Sequence, residues 1–214
     1  MKNRFATALV RTVSKIPVKI RVSMCIFVYA LVMAMVKSRS DGIWCLIAVL
    51  FCLTGDVALN HKKDRHRQTS KDFEVGMFMF MMAHICYTIT YLVLMHREYS
   101  QAFEHGYNWL LFILCDCFLF VGIFEPLTER VNLGKYEIAI MVYTMVIVTS
   151  FTTTFFYANC VKSIASTACI GAALMVLSDL IIAFEKFGHY ENHSTRRLVW
   201  ITYVAGQFLM ITFA

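Results

Sequence analysis

The sequence predicts an all-α fold, a polytopic transmembrane helix bundle of about seven spans, and three observations support this class. Hydrophobic residues make up 59% of the 214 positions, whereas soluble domains contain roughly 45–50%. Only two prolines and nine glycines interrupt the chain. The apolar runs approach the roughly 20 residues that a helix needs to cross a bilayer. We therefore expect a single transmembrane helical domain over residues 20–214, after a basic interfacial segment over residues 1–19.

Each predicted span is an apolar run between polar or basic flanks. In chain order the seven runs are 20–36, 42–59, 73–95, 107–124, 136–157, 163–184 and 197–214. Basic residues mark their ends: Lys37 after the first, the HKKDRHR run after the second, Arg97 after the third, Lys135 before the fifth, Lys162 before the sixth and Arg197 at the start of the seventh. No secretory signal is predicted, because Arg11 and Lys15 interrupt the first apolar stretch of the chain.

Lys and Arg residues divide unequally between the two sides of this arrangement. The N-terminus through Arg21 and the loops 60–72, 125–135 and 185–197 carry 16 of the 20, and the opposite flanks carry the other four. Because cytoplasmic flanks are rich in Lys and Arg, the N-terminus is predicted to be cytosolic and the C-terminus to lie on the far side. We assign the net charge of +6 to this bias and to anionic lipid rather than to nucleic acid.

The eight cysteines are predicted to be small buried hydrophobes rather than a disulfide framework, a redox pair or a metal site. All of them fall in or at the ends of apolar runs: Cys25, Cys45, Cys52, Cys86, Cys115, Cys117, Cys160 and Cys169.

Two aspartates lie inside predicted spans near the cytosolic side. Asp56 is about one turn from the end of span two, and Asp179 is about a turn and a half from the end of span six. No lysine or arginine lies within six residues of Asp179. A carboxylate in a span costs roughly 2.5–3.5 kcal/mol on insertion scales, so such residues usually serve function. The counts place both acids at nearly the same depth, where we expect them to share one cavity.

Further polar residues extend this predicted pocket. Phe73, Gly76, Phe80, His84 and Tyr87 recur at helical spacing on one face of span three. Gly76 would allow another helix to approach closely. His84 is predicted to lie deeper than the acids.

Four residues are candidate substrate-binding residues: His84, Ser178, Tyr203 and Gln207. Each has a structural alternative, because intramembrane His, Ser and Gln also bond neighbouring helices and Tyr also sits in interfacial belts. Asp116, in span four, either joins the pocket or bonds a backbone carbonyl.

Four motifs follow one another on separate spans: GDVAL at 55–59, FEVGMFMFMMAHICY at 73–87, GAALMVLSDLIIAF at 171–184 and TYVAGQ at 202–207. Together they resemble the YhhN-like lysoplasmalogenase family over roughly residues 15–210. The resemblance implies an integral membrane enzyme, in animals of the endoplasmic reticulum, with Asp56 and Asp179 as its catalytic acids. The family usually has eight spans, whereas this chain predicts seven, and Val204 stands where a second tyrosine is common.

Members of that family hydrolyse the vinyl ether of lysoplasmalogens to a fatty aldehyde and glycerophosphocholine or glycerophosphoethanolamine. Acid cleaves a vinyl ether through an oxocarbenium ion, so one carboxylic acid and one carboxylate suit the reaction, as in two-carboxylate glycosidases. We expect Asp179 to be the proton donor. The partners expected are the lysophospholipid substrate and membrane lipids, with no metal and no organic cofactor. The alternatives are a transporter or channel that uses its acids as a relay, and a non-catalytic lipid-binding relative.

Overall fold

The computed structural model describes residues 17–37, 40–60, 70–99, 106–161, 165–188 and 192–214. Seven long helices form over these residues: α1 Val18–Lys37, α2 Ser40–Asn60, α3 Ser70–Glu98, α4 Gly106–Arg130, α5 Glu137–Val161, α6 Ala165–Gly188 and α7 His193–Phe213. A short 3-10 helix, Gly134–Tyr136, precedes α5, and no strand occurs in the described residues. The predicted all-α class is confirmed. Residues 1–16 of the predicted interfacial segment lie outside the described residues, and residues 18–19 belong to α1.

Six of the described helices, α1 to α6, are long and apolar enough to cross a membrane. The protein is therefore a multi-pass membrane protein. The 21 residues of α7 extend about 30 Å at 1.5 Å per residue, enough for the hydrocarbon core. However, α7 is not among the helices that are apolar enough to be identified as spans, so the seventh span and the orientation remain predictions.

Six helices close into a ring, and α4 lies outside it. Neighbours around the ring are α1, α2, α3, α5, α6 and α7, with α7 returning to α1, whereas α4 packs mainly on α5. Only 6% of the apolar stretch of α4 is buried, and Phe118 on its outer face is 79% exposed. Lipid tails solvate such a face at no cost, because they are as apolar as the side chains.

A pair of glycines brings α6 and α7 into close contact. A Cβ on Gly206 would lie 2.9 Å from the Gly171 carbonyl oxygen and 2.9 Å from Met175 Cγ. The backbones therefore pack directly on each other, as small residues allow in membrane helices. Gly76 acts similarly between α3 and α2, where an added Cβ would lie 2.7 Å from Leu59 Cδ2, which agrees with the close approach predicted for it.

Gly206→Ala is expected to lower the free energy of unfolding by about 1–3 kcal/mol, the usual cost of overpacking. The obstructing atoms include backbone, which cannot turn aside as a side chain does. Thermal unfolding in neutral detergent measures the change. Gly122→Ala on α4 is the matched control, since an added Cβ there meets nothing within 4 Å, and it should be neutral or slightly stabilising because Ala favours helix over Gly. Equal stability of the two variants would contradict a tight α6–α7 contact.

Side-chain hydrogen bonds hold the start of α7 against α6. The Asn192 side chain accepts a hydrogen bond from the Thr195 backbone N–H, and the Thr195 side chain accepts one from the Asn192 backbone N–H. This capping box satisfies two N–H groups that the first turn of a helix leaves open. The Thr195 hydroxyl also donates to Glu185 near the end of α6, so the start of α7 is held against α6.

The prediction that all eight cysteines are buried is correct only in part. All eight are free thiols, and Cys45, Cys52 and Cys86 are buried as expected. Cys25 and Cys117 are exposed on the outer surface of the bundle instead. In a membrane protein an apolar position does not have to face inward, because the outer surface also contacts an apolar medium.

Candidate functional site

Helices α3, α5 and α6 bring three polar side chains together around Asp179. Asp179 Oδ2, on α6, accepts a hydrogen bond of 2.8 Å from the Tyr143 hydroxyl of α5. The same oxygen lies 3.1 Å from His84 Nε2 of α3. The side chains of His84 and Asp179 are only 2% and 7% exposed. Asp179 is thus a largely buried carboxyl group with two hydrogen-bond partners, as a buried polar group requires.

A second group of polar residues surrounds Asp56 on α2. Asp56 Oδ2 accepts hydrogen bonds from Ser23 Oγ of α1, at 2.6 Å, and from the Tyr203 hydroxyl of α7, at 2.9 Å. Tyr203 was predicted to join this pocket. Ser23 and Tyr143 were missed, and the available signal was a polar side chain inside an otherwise apolar run.

The Phe80 ring lies between the Asp56 group and the Asp179 group. The Phe80 ring packs edge-on against the Tyr203 ring, with centroids 5.8 Å apart. A Cβ on Gly55, the residue before Asp56, would lie 2.9 Å from the Phe80 ring. The buried Cys52 lies one helical turn before Asp56 on α2. The two acids therefore occupy neighbouring sites with an aromatic ring beside the Asp56 group.

An apolar cleft reaches Asp179 from the end of the bundle where α3, α5 and α7 begin. The empty space among its lining residues is about 590 Å³, a figure that includes space open to the exterior. Its lining residues come from α2 to α6: Leu59, Phe73, Met77, Phe80, Leu127, Ile140, Tyr143, Thr144, Ile147, Asp179, Leu180, Ile182, Ala183 and Phe187. Asp179 is the one acidic or basic residue among the described residues that line it. The cleft suits a long apolar ligand with a polar group at the level of Asp179.

We expected one cavity to join the two acids, but this cleft does not join them. Asp179 lines it, whereas Asp56 does not. The prediction of matched depth also fails when depth is counted along the helices. Asp56 is four residues from the end of α2 and Asp179 is nine residues from the end of α6, because α6 continues beyond the predicted boundary at residue 184.

None of the four predicted substrate-binding residues lines the cleft. His84 bonds Asp179 and Tyr203 bonds Asp56, so each contacts an acid without lining the cleft itself. The Ser178 hydroxyl donates to the Met175 carbonyl oxygen at 2.8 Å and is 3.5 Å from Asp179 Oδ1. Gln207 is 1% exposed, and its Nε2 has no hydrogen-bond partner among the described residues. Counted along the helices, His84 is 14 residues from the start of α3 and so lies farther from this end of the bundle than either acid, as predicted.

Asp116 belongs to a different part of the protein. Its Oδ2 accepts a hydrogen bond of 3.0 Å from the Thr149 hydroxyl, in the contact between α4 and α5. The bond separates Asp116 from Asp56 and Asp179, as the structural alternative expected, but the partner is a side-chain hydroxyl rather than the predicted backbone carbonyl.

The fold and the site together define a class, multi-pass helical membrane proteins with buried carboxyl groups beside an apolar cleft. The chain belongs to the YhhN family, whose model matches residues 14–213. No curated protein and no solved structure gave a significant match.

Proposed function

We propose that this protein hydrolyses the vinyl ether bond of lysoplasmalogens, releasing a fatty aldehyde and glycerophosphocholine or glycerophosphoethanolamine. One observation carries the proposal: Asp179 is the one acidic or basic side chain among the described residues of an apolar cleft. An acid in apolar surroundings is what cleavage of an acid-labile lipid ether requires. Membership of the YhhN family supports the same reaction, and residence in the endoplasmic reticulum membrane is part of the proposal.

The alkenyl chain is proposed to lie along the apolar lining, with the vinyl ether at Asp179. In a lysoplasmalogen this bond joins the tail directly to glycerol, so it lies just beneath the headgroup. Met77, Ile140 and Ile182 are among the side chains that would contact the tail. Burying apolar tail surface against them contributes about 25 cal/mol per Å².

Asp179 is proposed to be the proton donor. Both of its close contacts fall on Oδ2, so Oδ1 is the oxygen that carries the transferable proton. Protonation of the alkenyl carbon distal to the ether oxygen breaks the double bond and gives an oxocarbenium ion. The Tyr143 hydroxyl and His84 then stabilise the carboxylate that remains, because hydrogen bonds to a charged acceptor are the stronger ones.

Asp56 is proposed to act on water in the second half of the reaction. Water adds to the oxocarbenium carbon, and its proton passes to a carboxylate, giving a hemiacetal. The hemiacetal collapses to aldehyde and the free glycerol hydroxyl. Asp56 is separated from the cleft by the Phe80 ring, which packs on Gly55 and Tyr203. A rotation of this ring would connect the two acids through water.

The transporter or channel alternative receives less support from the arrangement. A relay needs acids staggered through the interior of the bundle. Asp116, the best candidate for the middle of such a series, lies on α4 outside the ring and bonds Thr149. The non-catalytic alternative is addressed by direct assay.

Purified full-length protein in neutral detergent is expected to release aldehyde from lysoplasmenylcholine. The matched alkyl-ether lysolipid has the same shape without the double bond and should remain intact, because it cannot form the oxocarbenium ion by protonation. A chelator should leave the rate unchanged, since the acid chemistry uses no metal. Aldehyde is measured by coupled reduction. Absence of aldehyde with tight binding of both lipids would favour the non-catalytic lipid-binding alternative.

A further inference from the structure

An aromatic trio frames the end of the cleft farthest from Asp179. Phe73 in the first turn of α3 and Phe187 in the last turn of α6 both line the cleft. Tyr136, just before α5, packs against both of them, with ring centroids 5.8 Å from Phe73 and 5.7 Å from Phe187. Phe73 and Phe187 are 5.8 Å apart. Three helix ends therefore meet in one rigid rim, and we name Phe73, Tyr136 and Phe187 the rim trio.

Two lysines are held on the rim trio. Lys186 Nζ lies 5.1 Å from the centroid of the Phe73 ring, and Lys135 Nζ lies 4.9 Å from the centroid of the Tyr136 ring. Cation–π attraction of this kind restricts a lysine without neutralising its charge. Lys135 is 70% exposed, so its ammonium group remains accessible from the cytosolic side that the sequence predicts.

A carboxylate completes the charges at the rim. Glu74 Oε1 accepts a hydrogen bond of 3.2 Å from the Tyr136 hydroxyl and lies 3.9 Å from Lys135 Nζ. Glu74 is 47% exposed, and therefore also offers negative charge to the exterior. Two cations and one anion beside an apolar cleft match a zwitterionic headgroup, which carries a phosphate and an ammonium.

The distance along α6 agrees with this match. Lys186 is seven residues beyond Asp179, or about 10 Å along the helix at 1.5 Å per residue. The Lys186 side chain is long enough to span part of the distance to Asp179. The distance that is left is comparable to the length of the extended glycerol unit that separates the phosphate from the vinyl ether. A lipid with its ether at Asp179 would therefore place its phosphate near the rim trio.

We infer that Lys135, Lys186 and Glu74 form the headgroup site of this protein, in which the two lysines bind the lipid phosphate and Glu74 binds the ammonium. The inference rests on the proposed function for the position of the ether. Such a site would favour a lysophospholipid over a vinyl ether lipid that lacks the phosphate. Paired recognition of phosphate and ammonium adds specificity, because a lipid lacking either group leaves a charge without its partner.

The test compares lysoplasmenylcholine with 1-alkenylglycerol, which has the vinyl ether but no phosphate. In the Lys135→Gln, Lys186→Gln double variant, KM for lysoplasmenylcholine should rise about tenfold, the scale of charged hydrogen bonds, with kcat within about twofold. KM for 1-alkenylglycerol should not change. Lys71→Gln is the matched control, because Lys71 is an exposed lysine at the start of α3 outside the rim trio. A KM that rises equally for both substrates, or equally in the Lys71 variant, would overturn the site.

A binding assay separates this inference from the proposed function. Equilibrium binding of the uncleavable alkyl-ether lysophosphocholine should weaken about tenfold in the double variant, whether or not the protein is an enzyme. Glu74→Gln should weaken lysophosphocholine binding but not that of the alkyl-ether lysophosphatidate, which lacks the ammonium. Inorganic phosphate at millimolar concentration should not compete, since it lacks the tail. Unchanged binding in every variant would refute the headgroup site, whereas loss of binding without any hydrolysis would refute only the proposed reaction.

Discussion

Asp179→Asn is expected to lower kcat on lysoplasmenylcholine by a factor of about 10² or more, the low end of general acid contributions. Asparagine keeps the size of the side chain, an oxygen that accepts from Tyr143 and a polar group beside His84, but it has no carboxylic proton to donate. Coupled aldehyde detection gives kcat and KM. Binding of the uncleavable alkyl-ether lysolipid should be nearly unchanged, because the cleft itself remains.

Asp116→Asn is the matched control for this variant. It also converts an intramembrane acid to an amide. Asp116, however, lies on α4, outside the ring, and bonds Thr149 of α5. Its turnover should stay within about twofold of wild type. A near wild-type rate for Asp179→Asn would show that the proton comes from elsewhere. If Asp116→Asn instead abolished turnover, a relay through α4 would become the better explanation.

Asp56→Asn is expected to lower kcat by a similar factor of about 10² or more. The Ser23 and Tyr203 hydroxyls still have an oxygen acceptor, so the fold should be kept while the proposed base is removed. The double variant with Asp179→Asn should be scarcely slower than either single one, because residues that act as a unit are strongly non-additive. Rates of the single and double variants are compared under saturating substrate.

The outcome for Asp56 also reports on Phe80. If Asp56→Asn is slow, water must pass the Phe80 ring to reach Asp56, since that ring lies between Asp56 and the cleft. If Asp56→Asn turns over normally while Asp179→Asn does not, Asp179 alone serves as acid and then as base. Independent, multiplicative losses in the double variant would contradict a single acid–base unit.

The sequence by itself determined the fold class and the unusual residues. Its apolar content and run lengths predicted the helical membrane bundle, because only helices and closed barrels satisfy the backbone within lipid. Asp56, Asp179 and His84 stood out for the same reason, since a polar group inside a span is costly unless it has a partner. The four motifs also indicated the YhhN family, which the family match over residues 14–213 confirms.

Only the tertiary structure decided which side chains meet. It paired Asp179 with Tyr143 and Asp56 with Ser23, and it placed Phe80 between the two groups. In a soluble protein, hydrophobic periodicity marks the face that packs inward. In a membrane protein lipid tails are as apolar as leucine. A helix face that packs on another helix and one that contacts lipid therefore have the same apolar sequence pattern. The partners of each acid therefore depend on helix rotation, which close contacts such as Gly171 on Gly206 fix only in the folded bundle.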